Sequence, residues 1–313
     1  MMSVSLADLA ALAGAVVLAG LGGEAFLKSI LGVAMHLRLP KAVVATTLAA
    51  FATSSPELTV STIASLAGEP AIGLGDALGS NVVNIALIFG LALLFGGIQT
   101  RREEFGRDFY LALAVPLITL LLSADGRLSF GDGVILVLLF SVWLLRTLQI
   151  TLQQRPAAGY APEGTSTPFW RTVFLGITGL AALIAAGRLF VLGATGIAAS
   201  FAVDTFVIGV VLVAIGTSLP ELVTVLLSRL RGHDDVGVGT LIGSNLFNGL
   251  AIVGVASSIQ DINLNPEEVG LTLAVGVLAL LLLIPRGDGQ IPRQRAFALL
   301  ILYALFIWAT LAS

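Results

Sequence analysis

The sequence predicts an all-α integral membrane protein with ten transmembrane helices, arranged as two inverted repeats of five helices each. Three observations predict this fold class: a strongly apolar composition, basic residues at alternating helix ends, and a polar motif that recurs 164 residues further along the chain. Of the 313 residues, 57% are hydrophobic and 11% are charged, whereas a soluble domain carries about 25% charged residues. The mean hydropathy is +1.01.

Long apolar stretches define the predicted helices, because a membrane span needs roughly 20 apolar residues. The loop "TLQQRPAAGYAPEGTSTP" at 151–168 is polar and rich in proline and glycine, as linkers are. It is predicted to be a cytoplasmic linker between a first repeat, 1–150, and a second repeat, 169–313. The predicted helices are 5–35, 39–67, 71–97, 108–123, 130–150, 169–199, 203–230, 235–259, 267–284 and 294–312.

The basic residues orient the predicted helices. Among 16 lysines and arginines, Arg127 alone falls in a loop on one side, and Lys28 and Arg188 lie within helices. The remaining ones fall at the alternate set of helix ends: Arg38, Lys41, Arg101, Arg102, Arg107, Arg146, Arg155, Arg171, Arg229, Arg231, Arg286, Arg293 and Arg295. Cytoplasmic loops are enriched in lysine and arginine. We therefore expect these ends in the cytoplasm, both termini outside, and the protein in the cell's inner (plasma) membrane.

An internal repeat supports the division into halves. A shift of 164 residues aligns 50–90 with 214–254 without a gap and gives 16 identities in 41 pairs. The polar positions match best, which chance similarity between apolar helices would not produce. An odd number of helices per half turns the second half upside down, and inverted halves are typical of secondary transporters with a site near the bilayer midplane.

The motif "TSSPE" lies inside an apolar stretch, and "TSLPE" repeats it in the second half. Proline lacks an N–H group and crowds the preceding turn, so it frees backbone carbonyls there. The hydroxyl residues and the glutamate share one helical face. Carboxylate, hydroxyl and carbonyl oxygens are hard ligands that suit Na⁺, Ca²⁺ or Mg²⁺. The candidate ligands of this motif are Thr53, Ser54 and Glu57 with their counterparts Thr217, Ser218 and Glu221.

The next helix of each half carries "GSNVVN" or "GSNLFN". Ser80 and Asn84, like Ser244 and Asn248, are spaced i, i+4 and share a face. Prolines and Gly-Ser pairs also occur in membrane helices for packing alone. A glutamate inside the membrane costs at least ~2.5 kcal/mol and usually has a function. Two glutamates in duplicated surroundings therefore favour a cation site, while Asn81 and Asn245 could serve only to bond freed backbone.

Glu24, Asp76 and Arg188 are further charged residues inside the predicted helices. Glu24 and Arg188 are related by the 164-residue shift, and we expect them to pair or to line a water path, unless each reaches an interface separately. Asp76 aligns with Thr240 and so lacks an acidic counterpart, which favours interpreting it as an entrance charge at best.

Other classes of protein fit less well. The two histidines, His36 and His233, fall at predicted helix ends, so a serine nucleophile would lack a base and an enzyme is not expected. The chain has no cysteine, which excludes thiolate metal sites. Its net charge of −3 does not indicate a nucleic-acid partner. A passive cation channel would use the same oxygen ligands and remains the remote alternative.

These motifs resemble those of the sodium/calcium exchanger family, of the calcium:cation antiporter superfamily, in its prokaryotic type. The resemblance covers the whole chain and rests on "ATSSPEL…GSNVVN" and "GTSLPEL…GSNLFN", in alpha-1 and alpha-2 repeats at about 43–91 and 207–255. It implies the sodium/calcium exchanger fold and secondary-active exchange of Ca²⁺ for Na⁺ by alternating access. Its implied partners are Ca²⁺, Na⁺ and membrane lipid, with no cofactor, no nucleic acid and no obligatory protein partner.

The resemblance also implies four cation positions between the second, third, seventh and eighth helices. Glu57 and Glu221 would be the bridging carboxylates, and the carbonyls of Ala50 and Ala214 would add oxygens. Many microbial members have an aspartate where this chain has Asn248, which leaves the predicted site with two acids. Coupling to H⁺ or dependence on K⁺ is therefore the alternative to Na⁺ coupling. The expected ligands are Glu57, Glu221, Thr53, Ser54, Thr217, Ser218, Ser80, Ser244, Asn84, Asn248, Ala50 and Ala214.

Overall fold

The protein is helical throughout the part that the computed structural model describes, residues 5–36, 49–100, 102–153, 168–230, 232 and 234–312. In these residues six helices are long and apolar enough to cross a membrane, or seven if one bent pair is counted as a span. The chain is thus a helical membrane protein. Ten spans in two inverted halves stay a prediction, and predicted stretches such as 39–48 and most of the linker lie outside the described residues.

The first part of the chain starts with one long helix and continues with a broken one. Its elements are α1 (Leu6–His36), α2 (Ala49–Thr53), α3 (Ser55–Leu66), α4 (Pro70–Val82), a π-helical segment (Val83–Phe89), α5 (Gly90–Leu94), β1 (Ile98–Gln99), α6 (Arg102–Leu122), β2 (Arg127–Leu128) and α7 (Phe130–Gln153).

The second part has the same order of long and broken helices. Its elements are α8 (Phe169–Phe201), α9 (Thr205–Ile208), a π-helical segment (Gly209–Val213), α10 (Ala214–Thr217), α11 (Leu219–Leu230), α12 (Asp234–Leu246), a π-helical segment (Phe247–Ile252), α13 (Val253–Ile259), β3 (Ile262–Asn263), α14 (Pro266–Leu282), β4 (Gln290–Ile291) and α15 (Arg295–Ala312).

The motif prolines interrupt both broken helices. α2 ends at Thr53 and α3 begins at Ser55, so Ser54 stands between them, and Pro56 occupies the first turn of α3. Ser218 stands in the same way between α10 and α11, where the helix axis bends by 46°. A proline removes a helical hydrogen bond and crowds the preceding turn, which explains a break at this place. The breaks leave hydroxyl groups and backbone carbonyls near the buried middle of the molecule.

Two short antiparallel strand pairs connect distant parts of the chain. β1 pairs with β4, with Ile98 opposite Ile291, and β2 pairs with β3, with Leu128 opposite Ile262. The four isoleucine and leucine side chains are buried. Two-residue strands are too short to show a periodicity of their own, so no sequence pattern predicts them.

The burial pattern matches a protein surrounded by lipid. Large apolar side chains are exposed along the outer helices, for example Leu138 on α7 and Trp308 on α15, which are 59% and 70% exposed. The α4 and α12 regions are mostly buried. The most deeply buried parts of the molecule therefore include the two segments that carry the repeated Gly-Ser-Asn motifs.

The two long helices α1 and α8 pack against each other at glycines. A methyl group added at Gly22 would lie 3.0 Å from the carbonyl oxygen of Gly179, and one at Gly179 would lie 2.7 Å from the backbone nitrogen of Phe26. Small residues let membrane helices approach this closely. α8 also packs on α3, so the pair lies beside the helix that carries Glu57.

The predicted pairing of Glu24 with Arg188 is wrong. Lys28 Nζ lies 2.6 Å from Glu24 Oε1, one turn along α1, and both side chains are 61% exposed. Arg188 is exposed on α8. A lysine four residues after a glutamate reaches it on the same helical face, and this local partner is available without any contact between α1 and α8.

Candidate cation-binding site

Four broken or π-bulged helices bring a cluster of polar side chains together inside the molecule. These are α2–α3, α4 with its π-helical extension, α10–α11, and α12 with its π-helical extension. π-helical segments inside α-helices occur frequently at functional sites. The side chains in the cluster are completely or almost completely buried: Thr53, Ser54, Glu57, Asp76, Ser80, Asn84, Thr217, Ser218, Glu221, Ser244 and Asn248.

The two glutamates are held by reciprocal hydrogen bonds between the helix breaks. Ser54 Oγ donates to Glu221 Oε1 at 3.3 Å, and Ser218 Oγ donates to Glu57 Oε1 at 3.4 Å. Ser54 stands at the first helix break and bonds Glu221, which lies in the first turn after the second break. Ser218 stands at the second break and bonds Glu57, which lies in the first turn after the first break. The 164-residue shift relates one bond to the other. The cross-contacts therefore tie the two motif copies into one site.

Glu221 has more hydroxyl partners than Glu57. Ser244 Oγ of α12 donates to Glu221 Oε1 at 3.3 Å, and the Thr53 hydroxyl also interacts with this carboxylate. The α2–α3 break and the α12 helix thus meet at Glu221. Three neutral hydroxyls around one carboxylate provide oxygen ligands without adding positive charge.

Each glutamate keeps one carboxylate oxygen free of hydrogen bonds. Glu57 Oε2 and Glu221 Oε2 are buried and have no hydrogen-bond partner in the part of the chain that the structure describes, and both side chains are 0% exposed. No ion pair among the described residues includes either glutamate. A buried charge without a partner is costly, and such groups usually pair or coordinate a metal. The geometry therefore fits carboxylates that ligate a cation.

A second group of oxygens gathers around the carbonyl of Ala214. Ser80 Oγ lies 3.5 Å and Thr217 Oγ1 lies 3.3 Å from this oxygen. The Ser218 backbone N–H also donates to it at 3.1 Å. The predicted ligands Ser80, Thr217 and Ala214 therefore lie together, on the side of the site formed by α4 and α10.

A third group consists of amides. Asn84 Nδ2 donates to Asn245 Oδ1 at 3.1 Å, and Asn245 Nδ2 donates to the Asn81 carbonyl at 3.2 Å. The side-chain oxygens of Asn84 and Asn248, and the Asn248 nitrogen, are buried without a hydrogen-bond partner. Asn245 thus bonds backbone and orients Asn84, while the amide oxygens of Asn84 and Asn248 remain available as neutral ligands.

Asp76 does not lie at an entrance, so that interpretation is wrong. The side chain is 0% exposed in the middle of α4, and Thr217 Oγ1 donates to its Oδ1 at 2.7 Å. The repeat does not predict Asp76 as a ligand, because Thr240 stands at the equivalent position. Its spacing was the available signal, since Asp76 precedes Ser80 by four residues and must share its helical face.

The predicted residues fall into connected groups with one exception. Ala50 lies in α2, and its side chain is not among those that the structure describes. Within the described residues, no three histidine or acidic side chains come together as a metal cluster. The candidate site is accordingly built from separate carboxylates interleaved with hydroxyl, amide and carbonyl oxygens. Ca²⁺ takes six to eight oxygen ligands of this mixed kind.

The chain is similar to known proteins over most of its length. A family model described as sodium/calcium exchanger protein matches residues 8–149 and 171–312. The chain is 33% identical to the inner membrane protein YrbG of Escherichia coli, over 73% of this chain and 72% of that protein. It is 26% identical to the sodium/calcium exchanger MaX1 of Methanosarcina acetivorans, over 91% and 93% of the two chains. A solved structure of the sodium-calcium exchanger NCX_Mj superposes with a TM-score of 0.67 at 29% identity and covers 96% of this chain and 98% of that one.

Proposed function

Because the chain belongs to the sodium/calcium exchanger family, we propose that it is a secondary-active antiporter that exchanges Ca²⁺ for Na⁺ across the membrane by alternating access. The observation that carries the proposal is the reciprocal pair of bonds, Ser54 to Glu221 and Ser218 to Glu57. These bonds support a shared buried site with one carboxylate from each motif copy. Exchange needs such a shared site, because two kinds of ion must compete for the same ligands.

Glu57 and Glu221 would be the central ligands. Thr53, Ser54, Ser218 and Ser244 would add hydroxyl oxygens around them, and Asn84 and Asn248 would add amide oxygens. Ser80, Thr217 and the Ala214 carbonyl form the outer group, and Ala50 would be its counterpart in the first half. All are hard oxygen donors, which favour Na⁺ and Ca²⁺ over softer metals.

Charge neutralisation gives a mechanism for the coupling. With both glutamates ionised and no cation bound, the buried site holds two negative charges, which resist transfer through a low-dielectric region. One Ca²⁺ or several Na⁺ would neutralise them, so the loaded protein could change conformation. A ligand shifts a conformational equilibrium only through its different affinity for the two states. Obligatory loading of this kind distinguishes an exchanger from a passive channel.

The fold and location belong to the same proposal. Ten spans in two inverted halves, 1–150 and 169–313, would let one half rock or slide relative to the other around the shared site. The inner (plasma) membrane is the proposed location, with both termini outside and the 151–168 linker in the cytoplasm. Among the relatives, the Escherichia coli protein is itself named an inner membrane protein.

Asn248 favours a second candidate, exchange of Ca²⁺ against H⁺, or exchange that depends on K⁺. The amide adds no negative charge to the site, and both its polar side-chain atoms are buried without a hydrogen-bond partner. With fewer carboxylates, fewer Na⁺ ions are needed to neutralise the site, and protons could replace them at the glutamates. Coupling to Na⁺, to H⁺ or to Na⁺ together with K⁺ would each require a different ion gradient to drive Ca²⁺ transport.

Ca²⁺ uptake into proteoliposomes tests the proposal directly. The purified protein would be reconstituted and Ca²⁺ uptake measured under an outward Na⁺ gradient, under a pH gradient without Na⁺, and under a Na⁺ gradient with and without K⁺. We expect uptake driven by Na⁺ alone. Uptake driven only by the pH gradient would overturn Na⁺ coupling in favour of H⁺, and a strict need for K⁺ would favour the K⁺-dependent form. Ca²⁺ uptake that persists when no counter-ion gradient is imposed and no counter-ion leaves the vesicles would indicate a channel.

A further inference from the structure

A third buried carboxylate lies beside the two glutamates and belongs to no copy of the repeated motif. Asp76 is 0% exposed, in the middle of α4. Its Oδ1 accepts a hydrogen bond from Thr217, whereas its Oδ2 is buried and has no hydrogen-bond partner among the described residues. None of the ion pairs among the described residues includes Asp76, so no lysine or arginine there compensates its charge.

The oxygens around Asp76 form a compact set. Thr217 Oγ1 lies 2.7 Å from Asp76 Oδ1 and 3.3 Å from the Ala214 carbonyl oxygen. Ser80 follows Asp76 by one helical turn, interacts with its carboxylate, and lies 3.5 Å from the same carbonyl oxygen. One carboxylate, two hydroxyls and one carbonyl are thus linked by contacts of hydrogen-bond length or slightly longer. This set offers one negative charge and several neutral oxygen ligands.

The equivalent position in the other half of the chain carries no charge. Thr240 stands at the position equivalent to Asp76, and Thr53 and Ser244, the equivalents of Thr217 and Ser80, are directed to Glu221. In its ionised form, the carboxylate on the α4 side therefore needs a counter-charge that the repeated motif does not supply. A single carboxylate among neutral oxygens is balanced by one monovalent cation, whereas Ca²⁺ is balanced by the two glutamates.

We propose that Asp76 is a third acidic ligand of the transport site and forms, with Ser80, Thr217 and the Ala214 carbonyl, a position for a monovalent cation, Na⁺ in the first instance. This inference rests on the proposed function and makes it more specific. The two outer sides of the site become unequal, and the α4 side binds the monovalent ion more tightly. The ion held there adds one positive charge to the loaded site.

Equilibrium binding to the purified protein tests the proposal separately from transport. Binding of radioactive Na⁺ and, without Na⁺, of radioactive Ca²⁺ would be measured for the wild type and for Asp76→Asn, which keeps the shape of the side chain. Losing a charged ligand should weaken Na⁺ binding about 10-fold and Ca²⁺ binding less than about 3-fold. Asp76→Thr, which copies the residue of the other half, should behave in the same way. Asp261→Asn, an exposed acid far along the chain, is the matched control and should change neither affinity.

The outcomes separate the two proposals. If Asp76 only positions Thr217, its loss displaces a shared ligand, so Na⁺ and Ca²⁺ binding should weaken in the same proportion, which would overturn the inference. Unchanged Na⁺ binding in both variants would also overturn it. K⁺ that competes for the Asp76-dependent binding as strongly as Na⁺ would overturn the choice of Na⁺. Wild-type protein that binds Na⁺ and Ca²⁺ but shows no coupled flux in proteoliposomes would contradict the proposed antiport and leave the Asp76 result standing.

Discussion

Glu57 and Glu221 occupy equivalent positions in the repeated segment but have unequal surroundings. Among the described residues, Glu57 receives one hydroxyl hydrogen bond, from Ser218. Glu221 receives hydrogen bonds from Ser54 and Ser244. The two motif copies have the same charged residue, and they differ in the hydrogen bonds that this residue accepts. Similarity of sequence therefore does not make the two halves of the site equivalent.

The difference has a consequence for ion binding. A carboxylate that accepts several hydrogen bonds is stabilised in its charged form and fixed in position. A carboxylate with fewer hydrogen-bond donors depends more on a bound cation to stabilise its charge and to fix its position. We expect Glu57 to gain more from cation binding than Glu221, although both should be indispensable for exchange.

Removal of either charge gives the largest expected effect. Glu57→Gln and Glu221→Gln each remove a central ligand, and we expect Na⁺-driven Ca²⁺ uptake to fall by at least about 100-fold. Glutamine keeps the shape and removes a buried charge, so thermal unfolding should not shift downwards. A variant that still exchanges Ca²⁺ at near the wild-type rate, at equal reconstituted protein, would contradict the assignment of the site.

Removal of single hydroxyls sharpens the comparison between the two glutamates. A hydrogen bond to a charged group contributes about 1.5–3 kcal/mol, which corresponds to about 10-fold or more in affinity. Ser218→Ala leaves Glu57 without its hydroxyl donor, and we expect Ca²⁺ affinity to fall about 10-fold. Ser54→Ala leaves Ser244 on Glu221, so its effect should be about 3-fold or less. Calcium binding isotherms of both variants check the order, and a larger loss for Ser54→Ala would reverse our interpretation.

Adding an acid on the Glu221 side is expected to change Ca²⁺ affinity in the opposite direction. Asn248 follows Ser244 by one helical turn and shares its face, and Ser244 donates to Glu221. Asn248→Asp should raise Ca²⁺ affinity by about 3- to 10-fold, because ligand charge tunes Ca²⁺ affinity. Asn84→Asp, one turn after Ser80, is the matched variant on the other side. Weaker Ca²⁺ binding in Asn248→Asp would show that Asn248 does not face the cation.

The sequence points to the two glutamates more directly than to the residues around them. A glutamate in an apolar stretch stands out because its burial is costly, and duplication of the "TSxPE" context indicates that Glu57 and Glu221 belong together as candidates. The structure describes both as buried and cross-bonded. The helix breaks at Ser54 and Ser218 also follow from the motif prolines, whose effect on the backbone is local.

The remaining features depend on contacts between distant parts of the chain. Repeat comparison does not identify Asp76 as a ligand, because it selects residues that the halves share and the halves differ at this acid. The unequal hydroxyl support of the glutamates results from how α12 approaches α11, which no local pattern encodes. The predicted Glu24–Arg188 pair is wrong because of a local contact: Lys28, one helical turn away, forms the ion pair with Glu24.

Competition between Na⁺ and Ca²⁺ at equilibrium tests the central claim most directly, namely that Glu57 and Glu221 form one site for which the two ions compete. Radioactive Ca²⁺ bound to the purified wild-type protein would be measured as Na⁺ is raised at constant ionic strength, with choline as the replaced cation. The account predicts that Na⁺ displaces Ca²⁺ completely, with a dependence steeper than one Na⁺ per Ca²⁺. Ca²⁺ binding that stays unchanged as Na⁺ rises would contradict it, because the ions would then occupy separate sites.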